Sequence, residues 1–391
     1  MAVYLGTKPM SVYEGGQRFD LVEYEETSIT PGVEDISIPA KSLLKNDLVI
    51  KGDSNIKESN IKKGVTLFGK TGTYGPFPNG TEWTQSNNTS DVFWCVYYAN
   101  GILVAGSSNG LYYSTDGKTW TQSNITSDYF YCVYNANGIW VAGSNSTGLY
   151  YSTDGKTWTQ SNITSIYFEC VYYANGIWVA GSDDDNGLCY SIDGKTWTQS
   201  NITDISFLCI YNANGIWVAG NDGNNGLYYS TNGMTWTQSN ITSGTFLCVY
   251  NANGIWVAGS SYNGGGLYYS TDGMTWTQSN ITIGYFNCVY NANGIWVAGS
   301  GSSKGLYYST DGMTWTQSNI TTSNFYCVYN ANGIWVAGSS NYGLYYSTDG
   351  MTWTQSNITS GDFYCVYNAN GIWVAGSSSS KGLYYSVTWE K

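Results

Sequence analysis

Phe130-Tyr-Cys-Val-Tyr-Asn-Ala-Asn-Gly-Ile-Trp-Val-Ala-Gly-Ser144 sets two runs of aromatic and β-branched residues on either side of Asn137-Gly138. Asn-Gly accepts the positive φ angles of a two-residue turn, so the stretch reads as a hairpin of strands 130–134 and 139–142. Further on, Gly148-Leu-Tyr-Tyr-Ser152 is a third strand, Asp154-Gly155 a second hairpin turn, and a fourth strand starts at Trp158. The unit recurs along the chain. Its leading Trp stands at Trp83, Trp120, Trp158, Trp197, Trp236, Trp276, Trp315, Trp353 and Trp389, 36 to 40 residues apart. Its central Cys occurs eight times: Cys95, Cys132, Cys170, Cys209, Cys248, Cys288, Cys327 and Cys365. A four-stranded antiparallel meander of about 40 residues, repeated radially, is a propeller blade. The expected fold is all-β: an eight-bladed β-propeller of four-stranded antiparallel blades. A linear solenoid would need atypical capping repeats, and none is present.

The two ends supply a closure. After Ser386 the last unit lacks the Thr-Asp-Gly-Met turn, whereas Trp83-Thr-Gln-Ser86 is a fourth strand without the first three. Pairing strand 81–87 beside residues 382–389 covers two edges otherwise exposed. The chain then divides into a small β-rich attachment segment at 1–73, a linker at 74–80 holding Pro76 and Pro78, and the propeller at 81–391.

Composition narrows the function. Of 391 residues only 11% are charged and 17% are aromatic, which favours strands and excludes disorder. The absence of His removes His-based acid–base catalysis and His-ligated metals. A formal charge of −12, with Arg18 as the one arginine, argues against nucleic acid. No apolar run reaches membrane-spanning length, and the Met1-Ala-Val-Tyr start shows no secretion signal.

Ser114-Thr-Asp-Gly-Lys-Thr-Trp120 and its copies resemble the Asp-box of sialidase-like propellers, one residue shorter between Asp and Gly. The resemblance implies a structural turn on the face away from an active site. Sialidase activity, as that family implies it, needs an arginine triad, a Tyr–Glu pair and an acid; residues 81–391 contain no Arg, which excludes it. Ile38-Pro-Ala-Lys41, Asp47-Leu-Val-Ile-Lys-Gly52 and Ser59-Asn-Ile-Lys-Lys-Gly-Val-Thr-Leu-Phe-Gly-Lys-Thr-Gly-Thr73 resemble a segment of phage tail and fibre proteins from Gram-positive hosts. That resemblance implies a virion protein made in the host cytoplasm, attached through 1–73 to other tail proteins.

The repeated Cys read as small buried residues, because equivalent positions in adjacent blades exceed the ~7 Å Cα limit of a disulfide; Cys189 replaces a Tyr. Asn-Ile-Thr sequons such as Asn124-Ile-Thr126 read as structural in this context, and the box Asp as bonding its own turn. Asp183-Asp184-Asp185-Asn186 is unique to the third unit. It reads as a solvated loop; no cofactor is expected, with Ca²⁺ at Asp183–Asp185 the one candidate metal.

Differences between units fall on one face. The Asn-Ala-Asn-Gly and Ser-Thr-Asp-Gly turns hardly change, while the second-to-third-strand loops and the approaches to the first strand vary in length and residue. Variable Tyr, Trp, Asn, Asp and Ser on a fixed scaffold suit recognition. Trp94, Tyr131, Tyr326 and Tyr364 are the candidate aromatic anchors, with Glu169 and Asp183, Asp184 and Asp185 as polar determinants. Two readings stand. One is a phage tail or fibre protein whose propeller face binds a host-surface glycan or protein. The other is a polysaccharide depolymerase using Glu169 with Asp183–Asp185. A structural virion decoration and homo-oligomerisation are left open.

Overall fold

The structure is a computed structural model that describes residues 80–183, 185–261, 265–378 and 382–386, together with the backbone of six short strands before residue 72. It separates into two compact units, Met1–Pro76 with Lys391, and Phe77–Glu390. In the first, Ser11–Glu14 pairs with Gln17–Asp20, Ile36–Ile38 with Leu48–Ile50, and Thr66–Leu67 with Lys70–Thr71.

The second unit is an eight-bladed propeller. Seven blades are four-stranded antiparallel sheets of consecutive strands, A to D; the eighth takes strands A to C from the chain's end and strand D from Trp83–Gln85. In blade 2 these strands are Phe130–Ala136, Ile139–Ser144, Leu149–Ser152 and Thr159–Gln160. Asn137 and Gly138 have φ of 50° and 77°, as the two-residue turn requires. The C–D connection differs from the expected hairpin: strand C ends at Ser152 and strand D starts at Thr159, so Asp154-Gly155 lies within a longer loop. Ser152 Oγ accepts from Gly155 N (2.9 Å), and Asp154 Oδ1 accepts from Lys156 N and Thr157 N (both 2.8 Å). The turn is held by side chains in place of a ladder.

The ring closes through the two ends of the chain. Ser386, Tyr385 and Tyr384 pair with Trp83, Thr84 and Gln85; Val387 to Lys391, including Trp389, lie outside the described residues. Gly80 joins the propeller: its φ is +66° and its carbonyl accepts from Trp83 Nε1, as the turn glycines do for the other strand-D tryptophans. The propeller therefore begins within the stretch read as linker.

Hydrophobic cores lie between blades. In one cluster Val104 and Leu111 of blade 1 pack with Phe130, Val133, Trp140, Ala142 and Trp158 of blade 2, and the pattern continues around to a cluster joining blade 8 to blade 1. The strand-D tryptophans and the strand-A phenylalanines are almost wholly buried, so a blade cannot bury its own faces without two neighbours.

Candidate binding site at the propeller mouth

Strand A is innermost, and each touches strand A of both adjacent blades. In every blade its register shifts between the strand-A Phe and Cys; in blade 2, Phe130 faces Ser144 but Cys132 faces Gly143. Tyr131 is the extra residue of this β-bulge, which takes its side chain out of the ladder's alternation. The bulge rests on three invariant residues. A Cβ on Gly143 would lie 2.6 Å from Cys132 Sγ and 2.8 Å from Phe168 Cβ of the next blade. The bare glycine lets the thiol reach Phe168 O (3.8 Å). All nine cysteines are free, and burial pushes the strand-A thiols well up, so they stay protonated.

The bulged positions of blades 1 to 8 are Trp94, Tyr131, Glu169, Leu208, Leu247, Asn287, Tyr326 and Tyr364. Four are aromatic and contiguous across the closure. Tyr326, Tyr364, Trp94 and Tyr131 stack in that order with centroids 4.3, 5.0 and 5.2 Å apart. Tyr131 continues at 5.0 Å onto Tyr167 of blade 3. Successive planes are tilted by 36–41°, close to the turn between blades of an eight-membered ring. The candidate anchors thus form one arc. Trp94 Nε1 within it is buried with no partner, a donor facing unmet demand.

The arc ends on a carboxyl. Tyr167 Oη donates to Glu169 Oε2 at 2.6 Å. Burial raises the Glu169 carboxyl above its ordinary value; the Tyr167 hydroxyl opposes this, and the charges of Asp183 and Asp222 add to it. Asp183 and Asp222 of blade 4 thus stand in the field of Glu169. Asp185 is turned toward Ser206, whose Oγ donates to Asp185 Oδ1 (3.0 Å) and to Asp183 O (2.8 Å). Asp184 lies outside the described residues. Among the described residues no three His, Cys, Asp or Glu stand close enough to hold a metal ion; the Ca²⁺ candidate includes Asp184 and so lies partly outside them. Half-buried Leu208, Leu247 and Asn287 complete the mouth, with Asn287 Nδ2 donating to Phe325 O (3.0 Å).

Below the mouth lies a second ring. Tyr97, Tyr134, Tyr172, Tyr211, Tyr250, Tyr290, Tyr329 and Tyr367 form a closed circle with centroids 4.7 to 5.4 Å apart. The widest spacing, 5.4 Å, falls between Tyr97 and Tyr367. There Leu103 takes the place of the strand-B Trp that meets the ring tyrosine edge-on elsewhere, as Trp140 meets Tyr97.

The loops around the mouth vary in side chain but not in backbone attachment. Ser108 N, Asn145 N, Asp183 N and Asp222 N donate to Val92, Tyr129, Tyr167 and Ser206 carbonyls at 2.9 to 3.1 Å. Fixed main chain under changeable side chains is a surface that can diversify without unfolding. The sequon Asn residues face a different task. Asn124 Oδ1 accepts from Trp158 N (2.7 Å) and its Nδ2 donates to Trp158 O (2.9 Å), a clamp on the next blade repeated around the ring.

The chain matches no protein-family model and no curated protein. Its propeller is similar to solved structures. The computationally designed Ika8 protein shares 11% identity over 79% of this chain and 100% of that one, TM-score 0.64. Sqt1 of Saccharomyces cerevisiae shares 12% over 79% and 99%, TM-score 0.60. YCF48 bound to D1 peptide shares 14% over 79% and 96%, TM-score 0.53. Identities this low establish the fold alone.

Three features of the site escape a strand-by-strand reading: the bulge, Tyr167 with Asp222, and the tyrosine ring. The signal for the first is a variable residue fixed between invariant Phe and Cys. The signal for the ring is a Tyr present in all eight units.

Proposed function

We propose that this chain is a phage tail or fibre protein whose propeller mouth binds a host-surface glycan or protein. The observation that carries the reading is the arc Tyr326–Tyr364–Trp94–Tyr131–Tyr167 ending on Glu169. Five aromatic rings from five blades, four of them held by bulges of an invariant scaffold, give a preorganised wall with an unpartnered indole N–H and a carboxyl at its end. Rigid aromatics beside short polar groups suit both sugars and protein side chains. A binding role also fits the propeller architecture. YCF48, of the same fold, has been solved with a D1 peptide bound.

The virion assignment rests on the tail-like segments within 1–73. Residues 1–80 carry nine basic and ten acidic residues, the rest of the chain six and 17, so the two parts suit different partners. In this reading the N-terminal segment attaches to other tail proteins and the propeller faces the host. The test is host-cell binding by the full chain carrying Tyr131→Ala and Tyr364→Ala. Binding is expected to be lost while the melt is retained. Equal binding, with loss instead from Asn137→Ala or Asp154→Ala on the opposite face, overturns it.

The depolymerase reading draws support from the Tyr167 hydroxyl donating to Glu169 Oε2, on a carboxyl that burial pushes up as a general acid requires. Incubation with host wall or capsule polysaccharide separates the readings. Shortened chains favour hydrolysis, and retention without cleavage favours binding.

A further inference from the structure

We propose that Asn214, Asn253, Asn293 and Asn332, in the A–B turns of blades 4 to 7, are sites of spontaneous deamidation by water, while hydrogen bonds to the next blade hold back the other four turns. The argument does not depend on the phage reading. In an Asn-Gly pair the main-chain nitrogen meets least resistance in reaching the side-chain amide, because glycine carries no Cβ. The Gly N attacks Asn Cγ: the N–Cγ bond forms, the Cγ–Nδ2 bond breaks, and the Gly proton leaves with the amide as ammonia. Water then opens the cyclic imide. Addition at Cγ gives Asp, and addition at the Asn main-chain carbonyl gives an isoaspartyl link. Amide and water become carboxylic acid and ammonia, with no change of oxidation state.

The described Asn-Gly pairs fall into two groups. In Asn109-Gly110, Asn186-Gly187, Asn225-Gly226 and Asn232-Gly233 the glycine N–H is already engaged. It donates to Asp128 O, Ile205 O, Gly244 O and Ser230 Oγ at 2.9 to 3.0 Å. A Cβ on the first three of these glycines would lie 1.8 to 2.0 Å from a carbonyl oxygen, so the backbone there has no room to turn. The eight A–B turns are different. Their asparagines, Asn100 to Asn370, are all exposed, with φ of 49 to 53°. At the glycines of the first seven, an added Cβ would meet nothing within 4 Å. The N–H groups of those seven have no acceptor among the described residues. Every one of the eight stands in Ala-Asn-Gly-Ile, so the local chemistry is the same around the ring.

What separates the eight is the side-chain amide. Asn137 Nδ2 donates to Tyr173 Oη and Asn370 Nδ2 to Tyr98 Oη, both at 2.5 Å and both on the next blade. Asn370 has a second restraint, since Gly371 N donates to Asn368 Oδ1 (3.1 Å). Asn100 and Asn175 donate more loosely, to Asn135 Oδ1 and Asn212 Oδ1 at 3.4 and 3.3 Å. The amides of Asn214, Asn253, Asn293 and Asn332 have no partner among the described residues. A bonded amide must be released before it can turn onto the glycine nitrogen, which slows it about two- to tenfold. The four free sites lie on consecutive blades, so their products gather negative charge in one half of the face opposite the mouth. Asp tolerates the positive φ. An isoaspartyl link adds a backbone atom to a two-residue turn and spoils its fit.

The test is incubation of the full-length protein at mildly alkaline pH, below its melting temperature, beside a sample unfolded in urea. Cleavage at Met234, Met274, Met313 and Met351 then puts Asn253, Asn293, Asn332 and Asn370 on separate fragments, while Asn214 stays with Asn100, Asn137 and Asn175. Each event adds about one mass unit, and fragment ions assign its position. In urea all eight should react alike. In the folded protein Asn214, Asn253, Asn293 and Asn332 should react at similar rates, with Asn137 and Asn370 slower by about twofold to tenfold. Tyr98→Phe removes the acceptor of Asn370 and keeps the ring, and should raise its rate by a similar factor. Should that variant not fold, Tyr173→Phe makes the same test at Asn137. Equal rates at all eight turns of the folded protein overturn the proposal. So does an absence of reaction at the four free sites over the time in which the urea sample reacts fully, or a rate unchanged by the Phe variant.

Discussion

Asn357 and Trp83, 274 residues apart, close the ring: Asn357 Oδ1 accepts from Trp83 N at 2.8 Å and its Nδ2 donates to Trp83 O at 3.0 Å. The same clamp joins Asn124 to Trp158 within the continuous part of the chain. Chemistry that repeats seven times along the sequence is thus used an eighth time to join its ends. Asn357→Ala leaves two main-chain groups without partners and should cost about 1–3 kcal/mol. Deleting residues 81–87 also removes Trp83, only 3% exposed, and should cost several kcal/mol more. Denaturant melts of both variants check this; an unchanged midpoint in the deletion contradicts the closure.

The bulge gives a second prediction. Gly143→Ala places a methyl 2.6 Å from Cys132 Sγ and 2.9 Å from Phe168 O, and should destabilise by about 1–3 kcal/mol. Cys132→Ala in the same chain relieves only the contact with the thiol. Partial rescue is expected in a double-mutant cycle. Full additivity would show that the thiol does not share the space.

These two cases mark what the sequence discloses. The Asn137-Gly138 turn, the eight-fold repeat and the unmatched strand at each end are local or periodic facts, and each leads directly to a feature of the fold. The bulge at Tyr131 is neither. It depends on Gly143 across the ladder and on Phe168 in the next blade, so counting alternation along strand A cannot reveal it. Tyr167 and Asp222 reach Glu169 for the same reason: they belong to a neighbouring position and a neighbouring blade. The tyrosine ring is hidden by its own regularity, since a residue common to every unit reads as scaffold. Variation between units points to the arc, whereas invariance, read as packing alone, conceals the ring beneath it.

The turn aspartates set an acid limit. Burial pushes Asp116, Asp154, Asp193, Asp272, Asp311 and Asp349 up, but main-chain N–H donors and a serine hydroxyl outweigh it and hold them below the ordinary value. A carboxyl lowered on folding contributes stability that is present above its unfolded pKa of about 3.9 and lost as pH falls through the folded value. Asn232 makes the same two main-chain bonds, both 2.9 Å, without titrating. Replacing all six by Asn should leave the neutral melt nearly unchanged and flatten its decline below about pH 4. The groups are largely exposed, so each contributes little and the sum is the observable. Parallel pH profiles for the two proteins contradict this.

Glu169 runs in the opposite direction. Its carboxyl is raised by burial, only partly offset by the Tyr167 hydroxyl, and further raised by Asp183 and Asp222. The native state therefore favours the protonated form more than the unfolded chain does. Its stabilising contribution is complete below the unfolded value of about 4.3 and disappears as pH rises through the folded one. Glu169→Gln keeps an oxygen to accept from Tyr167 and carries no charge. Its melting temperature should equal or exceed that of the parent at pH 7, and the difference should shrink toward about pH 4. If the mouth is the binding surface, the same substitution should weaken attachment to host cells, separating stability from recognition at one residue. A Gln variant less stable than the parent at neutral pH would show that the carboxylate is a structural ion, and would remove Glu169 from the site.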